Sequence, residues 1–343
     1  MQDNHDATLR RLTLLSHSAC NLACSMCPVH GQRLIPLFSP MPFQQVASIL
    51  RQARLLGVEE IIPTTWGEPF LDPDFPQLLR LVAELGLRIN ITTNGSFPFG
   101  SLPEWGVLLF PVVSDIKFSV NALDAEVASA IMPGLIAQQQ QSHVAEYANL
   151  RNLYSKTSSR ISLQIIVQRR NLYELPKLLR WAAELGLDRV KIHPLWIHHP
   201  SMECESLFHN SQGRSLWDAQ LPELKRIAQQ GSFVLQGALP STELCAAPEE
   251  SPNLCPFLGH ELWIAPDGNV RVCCHPRQGE AGFPHFGNVS QKPLGEIWGS
   301  KTYWDFVQNQ RERAFCRSCC FRLSGGGKNP PHKDGRHPRS PVD

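Results

Sequence analysis

Residues 11–31 read RLTLLSHSACNLACSMCPVHG and join a short apolar run to three closely spaced cysteines. The run RLTLLS (residues 11–16) predicts a β-strand, because it is short, apolar and followed by polar residues. Cys20, Cys24 and Cys27 come next, with gaps of three and then two residues, and a proline follows them directly. This stretch therefore predicts a strand that leads into a loop carrying three thiols.

The cysteine content indicates metal ligation rather than a disulfide framework. The chain has 343 residues, so its core does not depend on cross-links, and its 11 cysteines are an odd number. Adjacent cysteines at Cys273/Cys274 and Cys319/Cys320 also suit metal binding better than a set of bridges.

The composition argues against several partners and locations. A formal net charge of +1 gives no electrostatic reason to bind nucleic acid. No apolar stretch approaches ~18 residues, so we expect no membrane span. The apolar run near the N-terminus is too short for a secretion signal, and a chain rich in reduced thiols is expected in the cytoplasm.

Six predicted strands alternate with predicted helices. The strands are RLTLLS, EEIIPTT, RINITTNG, SDIKFSVN, ISLQIIVQ and RVKIHPLW, and the helices between them include FQQVASILRQARLLG, FPQLLRLVAELGL, VAEYANLRNLYS and LPKLLRWAAELGL. Strict alternation implies a parallel sheet with right-handed crossovers, either an open doubly wound sheet or a partial barrel. A last helix and strand, LPELKRIAQQG and SFVLQGAL, follow, and QQQQ at residues 138–141 is expected to be a solvated loop.

Unusual or polar residues follow each predicted strand, at the edge of the sheet where ligands bind. In strand order they are the three cysteines, then Trp66, Gly67, Glu68 and Pro69, then Asn94 and Gly95, then Ser119 and Asn121, then Gln168 and Asn171, and finally His193. Each has an ordinary alternative, since TTNGS is a common turn and asparagines often cap helices. Their coincidence at one edge predicts a functional site there.

The cysteine loop suits two kinds of metal centre. Three thiolates from one loop can bind three irons of a cubane cluster and leave the fourth iron without a protein ligand. Zinc is the alternative, with His17 or His30 as a fourth ligand. The position of the loop on the ligand-binding edge favours the cluster, because an open iron is useful there.

The motifs resemble those of the radical S-adenosylmethionine (SAM) superfamily, over nearly the whole chain. CNLACSMC matches the family's CxxxCxxC signature, although Met26 stands where an aromatic residue is usual, and WGEP resembles its GGEP motif, with Trp66 replacing the first glycine. The resemblance implies a partial (β/α)6 barrel of parallel strands. It also implies that Cys20, Cys24 and Cys27 bind a [4Fe-4S] cluster whose fourth iron is chelated by SAM.

The same resemblance implies a set of SAM-binding residues and a reaction. The residues are Gly67, Glu68 and Pro69 near the amino group, Ser119 and Asn121 near the ribose and carboxylate, and Asn171 as a further contact. One electron, from a flavodoxin- or ferredoxin-type donor, cleaves SAM to a 5′-deoxyadenosyl radical that abstracts hydrogen from an unactivated carbon. The protein's tasks are then to exclude water and to orient the substrate.

A second cysteine set near the C-terminus resembles the SPASM/twitch extension of that superfamily. Cys255 is followed by a gap of twelve residues to Gly268 and of four to Cys273, on a predicted hairpin with Asp267-Gly268 as its turn. The resemblance implies one auxiliary [4Fe-4S] cluster, and the ligands inferred for it are Cys255, Cys273, Cys316 and Cys319. A zinc ribbon is the alternative from spacing alone.

Two cysteines remain beside these ligands. Cys274 and Cys320 are each an alternate ligand, a buried apolar thiol or a hydrogen-atom donor, and the buried thiol is favoured.

We therefore predict three regions and an oxidative function. The regions are a radical SAM barrel at 1–240, a SPASM/twitch domain at 241–323 and a disordered tail at 324–343. Because the barrel begins by about residue 11, we expect a small polar substrate of the sugar, aminoglycoside or nucleoside type. The alternatives are an epimerase or peptide-modifying maturase, and a non-catalytic iron–sulfur or zinc scaffold.

Overall fold

The computed structural model describes residues 8–63, 66–154, 159–244, 255, 257–273, 282–313 and 316. These residues form one sheet of nine strands in the order β7-β6-β5-β4-β3-β2-β1-β8-β9. Neighbouring strands are parallel except β8 and β9, which are antiparallel. The strands are β1 (Arg11–Leu14), β2 (Glu60–Pro63), β3 (Arg88–Thr93), β4 (Val113–Ser119), β5 (Arg160–Val167), β6 (Arg189–Pro194), β7 (Val234–Gln236), β8 (Glu261–Ile264) and β9 (Val270–Arg271).

Helices connect the parallel strands. They are α1 (Phe43–Leu55), α2 (Phe75–Glu84), α3 (Leu102–Leu109), α4 (Ala125–Ile131), α5 (Ala137–Leu153), α6 (Leu175–Glu184), α7 (Ser211–Gly231), α8 (Ser241–Leu244), α9 (Leu294–Trp298) and α10 (Lys301–Gln308). In the described part of the chain, no helix is both long and apolar enough to cross a membrane.

The sequences of α2 and α6 explain why both segments are helical. Each has a proline in its first turn, where no backbone N–H is needed, and buries leucines at helical spacing against the sheet. Each ends just before a glycine, Gly86 or Gly186, whose φ of +63° closes the helix. The same local pattern therefore produces two equivalent strand–helix units.

The sheet curls into a partial barrel. Because β1 and β6 are five strand positions apart, a flat sheet would separate them by about 24 Å at about 4.8 Å per strand. The segments that follow these two strands nevertheless meet, because the Ser201 hydroxyl after β6 donates to the Gln32 side-chain oxygen after β1 (3.5 Å). The two sides of the sheet therefore approach each other. We call the space enclosed by β1–β6 the lumen.

The predicted fold is confirmed, with one local error. All six predicted strands are present, as are the seventh and the hairpin, whose turn residue Gly268 has a φ of +81°. The prediction that residues 138–141 form a solvated loop is wrong, because they lie in α5 and Gln140 is only 1% exposed. Tertiary hydrogen bonds to Gln140 account for the difference.

The C-terminal hairpin extends the sheet beyond β1. β8 is parallel to β1, and Thr13 on β1 donates a hydrogen bond to Glu261 on β8 (2.8 Å). A cluster of aromatic side chains then packs α10 against the segment before α9; its members are Phe283, Phe286, Trp298, Tyr303 and Phe306. The proposed division of the chain at residues 240 and 323 stays a prediction, and the predicted tail lies outside the described residues.

Candidate active site

Backbone hydrogen bonds fold residues 20–31 into a compact loop at the carboxyl end of β1. The Cys27 N–H donates to the Cys24 carbonyl (2.9 Å), and two further N–H groups of the loop donate to carbonyls in residues 131–133 (3.0 and 2.9 Å). Gly31 packs directly on the loop, since a Cβ there would lie 2.0 Å from the Cys24 carbonyl oxygen. The loop closes in this form because residue 31 has no side chain.

The surroundings of two of the three thiols disfavour their charged form. Burial is the main cause that raises the pKa of Cys20 to about 11 and that of Cys24 to about 12, and the negative charges of Glu68 and of other cysteines contribute to the rise. Iron binding offsets this cost, because it stabilises the thiolates. The His30 N–H points at the Cys27 sulfur (3.4 Å), and the Asn94 amide lies 4.0 Å from the Cys20 sulfur. Such N–H groups near sulfur are among the factors that set cluster potentials.

A zinc ion and a cubane cluster need different spacings of the three sulfurs. Within the described residues, no three or more His, Cys, Asp or Glu side chains converge closely enough to hold one metal ion. In a cubane each thiolate binds a different iron, so the sulfurs can stand farther apart than around one zinc. The Nε2 atom of His30, a candidate fourth zinc ligand, instead lies 3.1 Å from the Trp66 carbonyl oxygen.

Glu68 lies behind the cysteine loop as a fully buried carboxyl group. Its N–H donates to the Ala19 carbonyl (2.7 Å), which ties the WGEP segment to the cysteine loop. Its carboxylate accepts hydrogen bonds from the Thr93 hydroxyl (2.8 Å), the Asn94 N–H (2.7 Å) and the Phe70 N–H (3.3 Å). Burial outweighs these bonds and raises the pKa of Glu68 to about 7. A ligand ammonium group near this carboxylate would stabilise its charged form.

Gln140 is a site residue that sequence reasoning missed. Its side-chain amide donates to the carbonyl of Asn94 (2.6 Å) and to that of Ser119 (3.1 Å), so it joins the carboxyl ends of β3 and β4. Gly95, with a φ of +76°, would place a Cβ 3.3 Å from the Gln140 side chain. A run of four glutamines gives no sequence signal that one of them is buried.

Asn121 and Asn171 form one hydrogen-bonded unit. The Asn171 amide donates to the carbonyls of Asn121 (2.9 Å) and Ile166 (3.0 Å), and its oxygen accepts from the Gln168 N–H (2.7 Å). The Asn121 oxygen accepts from the Ile166 N–H (2.8 Å). Both donors of Asn171 are therefore used within the protein, and the residue fixes the end of β5 beside the end of β4.

Aromatic side chains from opposite sides of the barrel meet above the lumen. Trp66, after β2, packs edge-on to His198, after β6, with ring centroids 6.4 Å apart, and Trp196 packs on His198 at 4.9 Å. Below them, His193 lies at the end of β6, and burial lowers its pKa to about 4. Trp66 thus occupies the mouth of the barrel, at the position where the sequence departs from GGEP.

A cavity of about 740 Å³ opens beside the cysteine loop. Its wall includes Cys20, His30, Arg33, Leu37 and Gly134. This volume lies within the range of about 300–1,000 Å³ that is usual for small-molecule and cofactor sites. Of the three cysteines of the loop, Cys20 lines this cavity, and the candidate SAM contacts lie outside its wall.

The second cysteine set is described only in part. The Cys255 N–H donates a hydrogen bond to the side-chain oxygen of Gln310 (3.0 Å), which follows α10. Cys273 follows β9, and Cys316 is 7% exposed and joins the hydrophobic core. Cys319 and the two surplus cysteines, Cys274 and Cys320, lie outside the described residues.

Comparison with known families decides what this arrangement is. Residues 14–148 match the family described as "Radical SAM superfamily", and residues 255–320 match SPASM, described as "Iron-sulfur cluster-binding domain". The chain belongs to the radical SAM superfamily. Its cofactors are SAM and [4Fe-4S] clusters, and its C-terminal part is a SPASM domain.

Several relatives of this radical SAM protein span most of its length. The tungsten-containing aldehyde ferredoxin oxidoreductase cofactor-modifying protein of Pyrococcus furiosus is 24% identical over 332 residues, which cover 92% of this chain and 88% of the relative. The PqqA peptide cyclase of Methylorubrum extorquens is 25% identical over 319 residues, which cover 92% and 78% of the two chains.

A solved structure shares the fold. Streptococcus suis SuiB bound to S-adenosylmethionine superposes with a TM-score of 0.68 at 18% identity, covering 92% of this chain and 72% of SuiB. SuiB bound to its precursor peptide SuiA gives a TM-score of 0.67 at 17% identity, with 88% and 67% covered.

Proposed function

We propose that this radical SAM enzyme modifies a peptide. The observation that carries the proposal is the match to PqqA peptide cyclase, which extends over 92% of the chain and so includes both the barrel and the SPASM domain. The small polar substrate expected from the sequence, of the sugar, aminoglycoside or nucleoside type, finds no support among these relatives. The peptide-modifying alternative does.

The shape of the barrel supports access by an extended chain. β7 and β9 stand at the two ends of the sheet and, among the described strands, are not hydrogen-bonded to each other. The barrel is therefore open along one side. A peptide can enter a lumen that is open along its length, whereas a closed barrel would admit ligands only through its mouth.

We propose the cofactor-binding residues that the family resemblance implies. Cys20, Cys24 and Cys27 would hold the SAM-binding cluster, with Gly67, Glu68 and Pro69 facing the amino group of SAM. Ser119 and Asn121 would face its ribose and carboxylate, and Asn171 would hold Asn121 in place. Cys255, Cys273, Cys316 and Cys319 would bind the auxiliary cluster.

When bound, the SAM cluster supplies one-electron cleavage of SAM to a 5′-deoxyadenosyl radical, which takes a hydrogen atom from the substrate. The protein's own residues position the reactants and exclude water. Trp66, Trp196 and His198 cover the mouth of the lumen. Glu68 offers a buried carboxylate to an ammonium group, and Gln140 keeps the ends of β3 and β4 at a fixed separation.

We propose a net two-electron oxidation of the peptide. The substrate would lose one electron as part of the abstracted hydrogen atom and then a second electron together with one proton, and an auxiliary cluster held by Cys255, Cys273, Cys316 and Cys319 would supply the acceptor for that second electron. An auxiliary cluster with four cysteine ligands has no open iron for substrate, so electron acceptance is its natural role. Epimerisation would need a thiol donor, and Cys274 and Cys320 are the candidates from the sequence. A flavodoxin- or ferredoxin-type protein would supply the initiating electron.

One experiment separates peptide from small-molecule substrates. Anaerobically reconstituted enzyme is incubated with SAM, a reductant and extract of the source organism, divided into protease-treated and untreated portions. We expect the extract to stimulate 5′-deoxyadenosine formation, and protease treatment to remove the stimulation. Stimulation that survives protease and resides in a small-molecule fraction would contradict the peptide proposal and restore the small polar substrate.

A further inference from the structure

Two lysines of the lumen lack a carboxylate partner. Lys117 on β4 is 9% exposed, and its ammonium group donates to the side-chain oxygen of Asn90, which is an uncharged amide. Lys191 on β6 makes no hydrogen bond or ion pair with any residue that the structure describes. Burying an ammonium group without a counter-ion is costly, so this pair is unusual for a protein interior.

The carboxylates of the lumen are already engaged by arginines. Asp115 on β4 forms an ion pair with Arg189 on β6 and accepts a hydrogen bond from the Ser162 hydroxyl (2.7 Å). At the opposite side, Arg11 forms ion pairs with both Glu60 (2.9 Å) and Glu261 (3.4 Å). These three carboxylates and two arginines leave one negative charge, so the two lysines bring the whole set to a net excess of one positive charge.

The register of the sheet places the two lysines on strands that flank β5, with Lys191 nearer to the carboxyl ends of the strands. Lys117 pairs in register with Ser162 of β5. Lys191 pairs with Gln164, which lies two residues farther along β5 towards its carboxyl end. His193 follows Lys191 on the same face of β6, nearer to the mouth. Lys191 and His193 are both partly exposed rather than sealed, so a ligand in the lumen can reach them.

We propose that Lys117 and Lys191 together bind a carboxylate of the substrate inside the lumen. This inference rests on the peptide-modifying function proposed above, and it names the substrate class more closely. The carboxylate is that of an acidic side chain, Asp or Glu, in the peptide. A carboxylate between two ammonium groups offsets their mutual repulsion and fixes the substrate below the mouth of the barrel.

The charges around Lys191 make this binding dependent on pH. Burial is the main cause that lowers the pKa of Lys191 to about 7, and repulsion from Lys117, Arg189 and Arg11 lowers it as well. The negative charge of Asp115 raises this pKa and so opposes the other effects. The facing side chains of β5 and β7, Gln164 and Gln236, are uncharged, and His193 is neutral at pH 7. A bound carboxylate raises the pKa of Lys191, so binding takes up a proton at pH values above about 7. Affinity should fall as the pH rises through that range.

The test uses small probes with the reconstituted holoenzyme. N-acetyl-L-glutamic acid α-methylamide carries one side-chain carboxylate, N-acetyl-L-glutamine α-methylamide is its uncharged analogue, and N-acetyl-L-alanine carries only a chain-terminal carboxylate. Protein labelled with ¹³C at lysine Cε is titrated with each probe under anaerobic conditions and followed by NMR. Assignment of the Lys191 resonance comes from Lys191→Met, or from Lys191→Arg if the methionine variant does not fold.

We expect the glutamate probe to raise the pKa of Lys191 and to bind at least about tenfold more tightly than the glutamine probe at pH 6.5. Lys191→Met should weaken this binding by at least about tenfold, and Lys191→Arg should retain it. Lys225→Met, which changes an exposed lysine on α7, should leave it unaltered.

Equal responses to the glutamate and glutamine probes, or none to either, would overturn the inference. Tighter binding of N-acetyl-L-alanine than of the glutamate probe would overturn the assignment to an acidic side chain. These results do not depend on whether protease destroys the natural substrate, so failure of the peptide proposal is recognised separately.

Discussion

Replacement of Gly31 by alanine should remove the SAM-binding cluster without changing any ligand. The Cβ of the new residue would lie 2.0 Å from the Cys24 carbonyl oxygen and 2.9 Å from its carbon, and real Cβ contacts are essentially never under 3.0 Å. The Cys24 carbonyl must therefore retreat by about 1 Å, whereas functional groups tolerate displacements of about 0.5 Å. That carbonyl accepts a hydrogen bond from the Cys27 N–H, so the thiols of both Cys24 and Cys27 move with it.

The expected result is a loss of iron confined to one cluster. Two [4Fe-4S] clusters correspond to about eight irons per chain, so Gly31→Ala should retain about four. SAM cleavage should be abolished, and the auxiliary cluster should still give its absorption and electron paramagnetic resonance signals. Iron and sulfide are measured after anaerobic reconstitution, and SAM cleavage is measured as 5′-deoxyadenosine.

Gly299→Ala is the matched control. Gly299 caps the end of α9, far along the chain from the cysteine loop, and a Cβ there would lie 3.3 Å from the nearest atom. It should keep full iron and activity. If Gly31→Ala also kept about eight irons and cleaved SAM at the wild-type rate, the loop would be able to move its carbonyl without moving its thiols, and the steric reasoning would be refuted.

Three further predictions address the surroundings of the cluster. Glu68→Ala should weaken SAM binding by about ten- to a hundredfold, measured by calorimetry, with iron content unchanged, because it removes a charged hydrogen bond but no ligand. Gln140→Leu should destabilise the protein by about 1–3 kcal/mol in thermal unfolding, since two carbonyls lose their donor, whereas the exposed neighbour change Gln139→Leu should have little effect. Asp115→Leu should cost about 3–5 kcal/mol by leaving Arg189 unpaired, and a double variant with Arg189→Met should recover most of that loss.

The strand order could be predicted because each strand is a short apolar run followed by a polar residue. That pattern is local, and the parallel sheet follows from its repetition. The three cysteines and Glu68 were also visible as motifs. The structure adds that the two motifs are in contact, because the Glu68 N–H donates a hydrogen bond to the carbonyl of Ala19, next to Cys20.

The role of Gln140 could not be predicted, because hydrophobicity patterns do not detect a buried amide. Its burial is stabilised by carbonyls of Asn94 and Ser119, which are 46 and 21 residues away in the chain. Lys117 and Lys191 likewise belong to no sequence motif, and each stands in a strand that carries another charged residue. The role proposed for these two lysines depends on the curl of the sheet, which places β4 and β6 around the same lumen. No single segment of the sequence encodes that curl.

The pairing of β8 with β1 has a consequence for the order in which the protein is made. Among the described strands β1 comes first in the chain, and its neighbour on one side, β8, lies about 250 residues later. Contacts between such distant segments form slowly, because a long loop must close before they contribute. One edge of the strand that bears the cysteine loop is therefore covered only after the segment that contains β8 has been made.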